Sequence, residues 1–256
     1  MPSYNADTIS SPPDLFVRTP ESVLYLPVGT SLHVLGQLTM FPRPSYAASD
    51  TFAVTGIPDG VIVAGVLCRI DKWNRPFLVS VARAVSANSA VHLWMPEMLT
   101  TASSRSRVME IFSSEGLYLE RVHWVPTLDR NRHLLYKRRI DLVFDTHPYS
   151  GHMTTGDALY VGAATLVHPD ASMASRISSS LLLSCGASYV IDHCLFAIAF
   201  FYIIANRLLL VMLRIGKRWQ RCFWGHPLFW KNGSPTFASN ATAMDCGGFH
   251  GGSNEG

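Results

Sequence analysis

The chain is poor in charge and has no cysteine pattern. Only 15% of its 256 residues are charged, and the formal net charge is +3. That excess suits an anionic ligand but falls short of the basic footprint of a nucleic-acid-binding protein. The five cysteines (Cys68, Cys185, Cys194, Cys222, Cys246) are odd in number, widely spaced and free of any CxxC pair. This excludes a disulfide framework and a thiolate zinc site, and a reducing compartment is the simplest reading. No period of roughly 34 residues marks a helical repeat array. Met1 to Pro13 is polar and Ser/Pro-rich, without the basic-then-apolar order of an export signal.

What the chain does have is hydrophobicity, at 48% of residues, and length enough to bury a core. Residues 1 to about 55 are rich in proline and small residues, with one apolar run at Val23 to Pro27, and read as extended or loop structure. From Val61 onward, short β-rich runs alternate with segments of helical period. Strands are expected at Val61 to Leu67, Val91 to Met95, Val122 to Val125, Asp141 to Phe144 and Thr165 to Val167. Helices are expected at Pro76 to Ala87, Ser106 to Glu115, Asp129 to Lys137, Thr155 to Val161 and Ser172 to Leu183. Such alternation predicts an α/β fold, a Rossmann-like parallel sheet covered by helices on both faces. Sheets of this kind bind ligands beyond the carboxyl ends of their strands, where helix N-termini offer free N–H groups.

Four of those loops carry residues with usable chemistry. The loop after Leu67 holds Arg69 and Lys72, and a lysine there can neutralise a leaving diphosphate or remain an ordinary surface cation. The loop after Phe144 runs to Gly151-His152-Met153-Thr154-Thr155-Gly156-Asp157. Glycine permits close backbone approach, His152 can donate to a phosphate, and Thr154 and Thr155 can bond an oxygen ligand or cap the next helix. Asp157 could accept from a ribose hydroxyl or simply complement the helix dipole. His133, at a helix start, could stack on a base or sit half-exposed. Spacing alone leaves these alternatives open.

Taken in order, these segments resemble the C-terminal catalytic half of the protein O-linked N-acetylglucosamine (O-GlcNAc) transferases, including their plant SPINDLY-like relatives. The resemblance rests on Asp141-Leu142-Val143-Phe144-Asp145-Thr146, Gly151-His152-Met153-Thr154-Thr155-Gly156-Asp157-Ala158-Leu159, Gly162, Pro169 and Ala174-Ser175-Arg176. The family shows a D-LDT-GHTT-D-L-G-P-ASR order there. Upstream, Ser10-Ser11-Pro12-Pro13 and Glu21 to Pro27 are similar to the stretch that links the family's two catalytic lobes.

The resemblance implies a GT-B glycosyltransferase fold and inverting, metal-independent transfer of GlcNAc from UDP-GlcNAc to Ser or Thr hydroxyls of protein acceptors, with no cofactor. It implies that Lys72 is the catalytic diphosphate-binding lysine. It further implies that His133 stacks on uracil, that Arg130 contacts the nucleoside, that His152 and Thr154, with Thr155 beside them, bind the diphosphate, and that Asp157 binds ribose. Met153 stands where the animal family has threonine, and Arg69, on the donor side, stands where glutamine is usual. GlcNAc and fucose both remain open as the transferred sugar.

The expected organisation is an inter-lobe segment over 1–50, a nucleotide-sugar-binding lobe over 51–192, a hydrophobic helix over 193–222 and a Gly/Ser/Asn-rich tail over 223–256. Cys194 to Ala205 is an uncharged apolar run of 12 residues, continued by Leu208 to Leu213. The stretch 194–213 reaches the ~20 residues of a membrane span, but Arg207 within it favours a buried helix. Without the N-terminal lobe and repeats of the family, the expectation is a fragment or divergent member of cytoplasmic or nuclear location. The alternative is a catalytically inactive nucleotide-sugar-binding or scaffold module, tethered to a membrane through its tail.

Overall fold

The computed structural model describes residues 3–13, 22–25 and 55–184. The hydrophobic helix expected over 193–222, with its span at 194–213, lies outside them. No described helix is long and apolar enough to cross a membrane.

Among the described residues, seven strands and five α-helices follow in the order β1 (Ser3–Ala6), β2 (Ser22–Tyr25), β3 (Ile62–Gly65), α1 (Arg75–Ser86), β4 (Val91–Pro96), α2 (Ala102–Ser114), β5 (Val122–Val125), α3 (Arg130–Lys137), β6 (Leu142–Phe144), α4 (Met153–Val161), β7 (Ala164–Leu166) and α5 (Met173–Ser184). The last five strands form one parallel sheet in the order β5-β4-β3-β6-β7. Strand β3 comes first in the lobe yet lies at its centre. The chain winds outward through β4 and β5, then crosses back to lay β6 against the other side of β3. The topological switch point therefore falls between β3 and β6, whose following connections lead to opposite sides of the sheet.

Strand alternation explains why both faces are covered. Ala64, Val66, Leu93, Met95, Leu142 and Phe144 pack with Phe77, Leu78, Val81 and Val85 of α1 and Val108 and Phe112 of α2. The intervening residues Val63, Leu67, Trp94 and Val143 pack with Leu134 of α3 and Ala158, Tyr160 and Val161 of α4. With a side-chain period of two, a buried parallel strand must be apolar on both faces, and these strands are.

Helix ends follow local chemistry. Asn74 caps α1 by accepting from the Phe77 N–H at 2.9 Å, and proline stands in the first turn. At the other end, Arg121 Nη1 donates to the carbonyls of Val85 (3.0 Å), Asn88 (2.8 Å) and Val91 (3.2 Å). This buried guanidinium thus ties the last turn of α1 to the start of β4. Helix α2 begins at Ala102, ahead of the expected Ser106, because Thr101 and Ser104 form a reciprocal capping box. Helix α4 ends on Gly162, whose φ of 83° is the left-handed stop that glycine adopts without strain.

The N-terminal segment, expected to be extended or loop, contributes two short strands. Strands β1 and β2 pair in parallel, Ser3 opposite Ser22 through Ala6 opposite Tyr25. The turn after β1 docks on α5, where Ser180 Oγ donates to Asp7 Oδ2 at 2.7 Å and Arg176 Nε donates to the Ile9 carbonyl at 2.7 Å. Backbone pairing and polar contacts carry this docking, so no apolar period announces it.

Candidate functional site

Two loops leave the switch point and are tied together. After β3 the chain runs through buried Cys68 into a single 3-10 turn, Ile70–Lys72, closed by Trp73 Nε1 donating to the Cys68 carbonyl at 3.1 Å. Lys72 Nζ reaches across to the loop after β6, donating to the Ser150 carbonyl at 2.6 Å and lying 3.7 Å above the Tyr149 ring. Asn74 Nδ2 makes a second crossing to the His147 carbonyl at 2.6 Å. An ammonium has three donors and the Ser150 carbonyl takes one, so Lys72 is a fixed cation with capacity left for a ligand oxygen.

The loop after β6 is itself pinned. Ser150 donates to the Ala174 carbonyl through both its N–H (3.0 Å) and its hydroxyl (2.7 Å), and Thr146 Oγ1 donates to the Tyr149 carbonyl at 2.6 Å. His152 opens α4 at φ 50°, a conformation that costs a non-glycine residue energy and persists only where its surroundings enforce it. Burial, and then the Lys72 charge, push the His152 pKa down, and its Nε2 is buried without a partner. Thr154 Oγ1 donates to the Gly151 carbonyl at 2.8 Å and lies 3.2 Å from Cys68 Sγ. Beneath the loop is Asp145, whose pKa burial raises to about 7, with Ser178 and the Gly151 and Thr146 N–H groups opposing. Lys72, His152, Thr154 and the N-terminus of α4 thus converge at the switch point, an arrangement able to receive an anion.

A second group lies between α3 and α4. Asp157 accepts from Lys137 Nζ at 2.6 Å and from Arg130 Nη1 at 2.8 Å on Oδ2, and from Arg130 Nη2 on Oδ1. Side-chain exposure is 2% for Lys137, 4% for Asp157 and 32% for Arg130. His133 packs with its ring centroid 6.3 Å from that of Trp94. Burial, then the Lys137 charge, lower its pKa to about 4, so it is a neutral, flat surface at neutral pH.

Of the eight donor-site residues expected from the sequence, the structure gathers Lys72, His152 and Thr154 in one group and Arg130, His133 and Asp157 in the other. Two lie elsewhere. Arg69 is exposed and ion-paired with Asp71 at 3.1 Å. The Thr155 hydroxyl turns inward to Ser178 Oγ at 2.7 Å, because its place on α4 faces α5 beneath the loop. Sequence reasoning missed Lys137, which looks like an ordinary cation at a helix end, and Asp145, which looks like the end of a strand.

The environment of Gly151 gives a direct test of the loop. A Cβ there would stand 2.6 Å from both the Thr154 and Thr155 hydroxyl oxygens and 2.8 Å from Asp145 Oδ1. Gly151→Ala is expected to cost about 2 kcal/mol in urea unfolding, as for overpacked sites. An unchanged midpoint would show that the polar cradle is loose.

The histidines give another. His133 and His123 both fall from 6.5 to about 4, burial being the first cause in each. Unfolding therefore takes up protons between pH 6.5 and 4. Their contribution is complete above about 6.5 and is lost as pH falls toward 4. Asp145 acts in the opposite sense, favouring the fold more as pH drops from about 7. His133→Gln isolates one contribution: the variant should lose roughly 3 kcal/mol less stability than the parent between pH 7 and 4. Parallel stability curves for parent and variant would contradict the burial of His133.

Comparison with known proteins identifies the family and the fold. The family model of Glycosyl transferase family 41 matches residues 43–196, more than half of the chain. A probable UDP-N-acetylglucosamine–peptide N-acetylglucosaminyltransferase SPINDLY of Arabidopsis thaliana is 24% identical over 187 residues, covering 72% of this chain and 20% of that protein. The protein of the same description from Solanum lycopersicum is 25% identical over 182 residues, covering 70% of this chain and 19% of its own length. The chain thus spans about a fifth of these curated relatives. Among solved structures, a mutant O-GlcNAc transferase of Thermobaculum terrenum superposes with a TM-score of 0.68 at 23% identity, covering 86% of this chain and 41% of that one. At that identity the likeness is one of fold.

Proposed function

The chain belongs to glycosyl transferase family 41, and from that premise we propose that its lobe binds the nucleotide of UDP-GlcNAc and serves transfer of the sugar to Ser or Thr hydroxyls of proteins. The diphosphate is assigned to Lys72, His152, Thr154 and the N-terminus of α4, the uracil to His133 and the ribose to Asp157. The supporting observation is the convergence at the switch point, where Lys72 of one loop is fixed against Ser150 of the other at 2.6 Å.

In the transfer, an acceptor hydroxyl oxygen bonds to the anomeric carbon as the bond from that carbon to the β-phosphate oxygen breaks. UDP departs with the bonding electron pair, and the proton of the acceptor hydroxyl is released to solvent water. Negative charge grows on the β-phosphate, and donors already fixed in place stabilise it without reorganising. Lys72 carries the cationic part of this task, so a divalent metal is not required by the proposal. The description of the plant relatives as N-acetylglucosaminyltransferases favours GlcNAc over fucose, and a cytoplasmic or nuclear location fits the acceptor class.

UDP should raise the melting temperature of the full chain, corresponding to roughly 2.7 kcal/mol at a hundredfold excess over Kd. His133→Ala should abolish the shift. The absence of any shift with the parent protein at millimolar UDP would overturn the assignment.

A further inference from the structure

The contacts of Asp157 have a consequence for which nucleotide sugar moieties the site accepts. A carboxylate offers about four lone-pair directions, two on each oxygen. Lys137 Nζ and Arg130 Nη1 occupy both on Oδ2, at 2.6 Å and 2.8 Å, while Arg130 Nη2 occupies one on Oδ1. One direction remains, on Oδ1. The two cations also differ in place, since Lys137 is buried under the carboxylate whereas Arg130 reaches it from the solvent side.

Given the assignment of the ribose to Asp157, we propose that Lys137 and Arg130 are positioning residues that fix this carboxylate so that it accepts one ribose hydroxyl and not the 2′,3′-diol. Lys137 anchors Oδ2 from within and sets the side-chain rotamer. Arg130 blocks the outer direction on Oδ2 and one of the two on Oδ1. A bidentate grip on the diol needs both oxygens, and this ion triad has only one to give. The site is therefore selective for the hydroxyl at a single ribose position and tolerant of its loss at the other.

The experiment is a set of affinities of the full chain for UDP, 2′-deoxy-UDP and 3′-deoxy-UDP. One analogue is expected to bind about tenfold more weakly than UDP or worse, as for a lost hydrogen bond to a charged group, and the other within about a factor of three. Arg130→Met keeps the buried Lys137–Asp157 pair and opens the blocked directions, so both analogues should then be disfavoured, a change that a purely structural role for Arg130 would not produce. Lys137→Met/Asp157→Leu, which removes the acceptor, should bind all three nucleotides alike. Equal weakening of the two analogues with the parent chain, or none, overturns the inference while leaving UDP binding intact. Failure of UDP itself to bind overturns both the inference and the site assignment on which it rests.

Discussion

Lys72→Met is expected to weaken UDP binding ten- to a hundredfold while leaving uridine binding within a factor of two. The ammonium is held by the Ser150 carbonyl at 2.6 Å and by the Tyr149 ring at 3.7 Å, so it does not have to be ordered when an anion arrives. A hydrogen bond from a charged donor contributes about 1.5–3 kcal/mol net, and each 1.4 kcal/mol is about tenfold in affinity. Methionine keeps the length and apolar stem of lysine and removes only the charge and its donors. The nucleoside side, at His133 and Asp157, is untouched. Calorimetric titration with UDP and with uridine separates the two effects. Equal affinity of parent and variant for UDP would mean that Lys72 faces no phosphate.

Lys137→Met is expected to destabilise the fold by about 3 kcal/mol. Removing one partner of a buried ion pair typically costs roughly 3–5 kcal/mol, because the other charge remains desolvated. Here Arg130 still engages both oxygens of Asp157, which places the cost at the lower end. The pair is internal, with Lys137 and Asp157 both nearly inaccessible. Burial pushes the Lys137 pKa down and the adjacent Asp157 carboxylate opposes that shift, so the ammonium depends on this one partner. Lys137→Met/Asp157→Asn should recover most of the loss, since replacing both members of such a pair removes the stranded charge. Urea midpoints of the two single variants and the double variant test this, and additive losses would show that the pair is not energetically coupled.

The parts of this lobe that were legible in the sequence are those fixed by local rules. Strand β5 lies at Val122–Val125 as expected, and helix α3 begins at Arg130, one residue after the expected Asp129, which caps it. Helix α5 begins one residue after the expected Ser172. The Gly151-to-Asp157 segment stood out because glycine, threonine and histidine suit close approach to an anion, but the same residues suit a capped helix start, and spacing left the two open. What was not legible depends on partners distant in sequence. Lys137 acquires meaning only from Asp157, on the next helix, and Asp145 only from the Gly151 loop folded over it. Thr155 looked as available as Thr154, yet on α4 it faces α5 and meets Ser178. Strand β3 was expected to run from Val61 to Leu67 but spans Ile62–Gly65, although the Val66 N–H still reaches the Trp94 carbonyl at 3.0 Å.

The most direct measurement is a crystal structure of the full chain grown with UDP. The β-phosphate should lie within hydrogen-bonding distance of Lys72 Nζ and the first-turn N–H groups of α4, with uracil flat against the His133 ring. Density for UDP at any other surface, or a diphosphate turned away from the switch point between β3 and β6, would contradict the placement of the donor in this lobe.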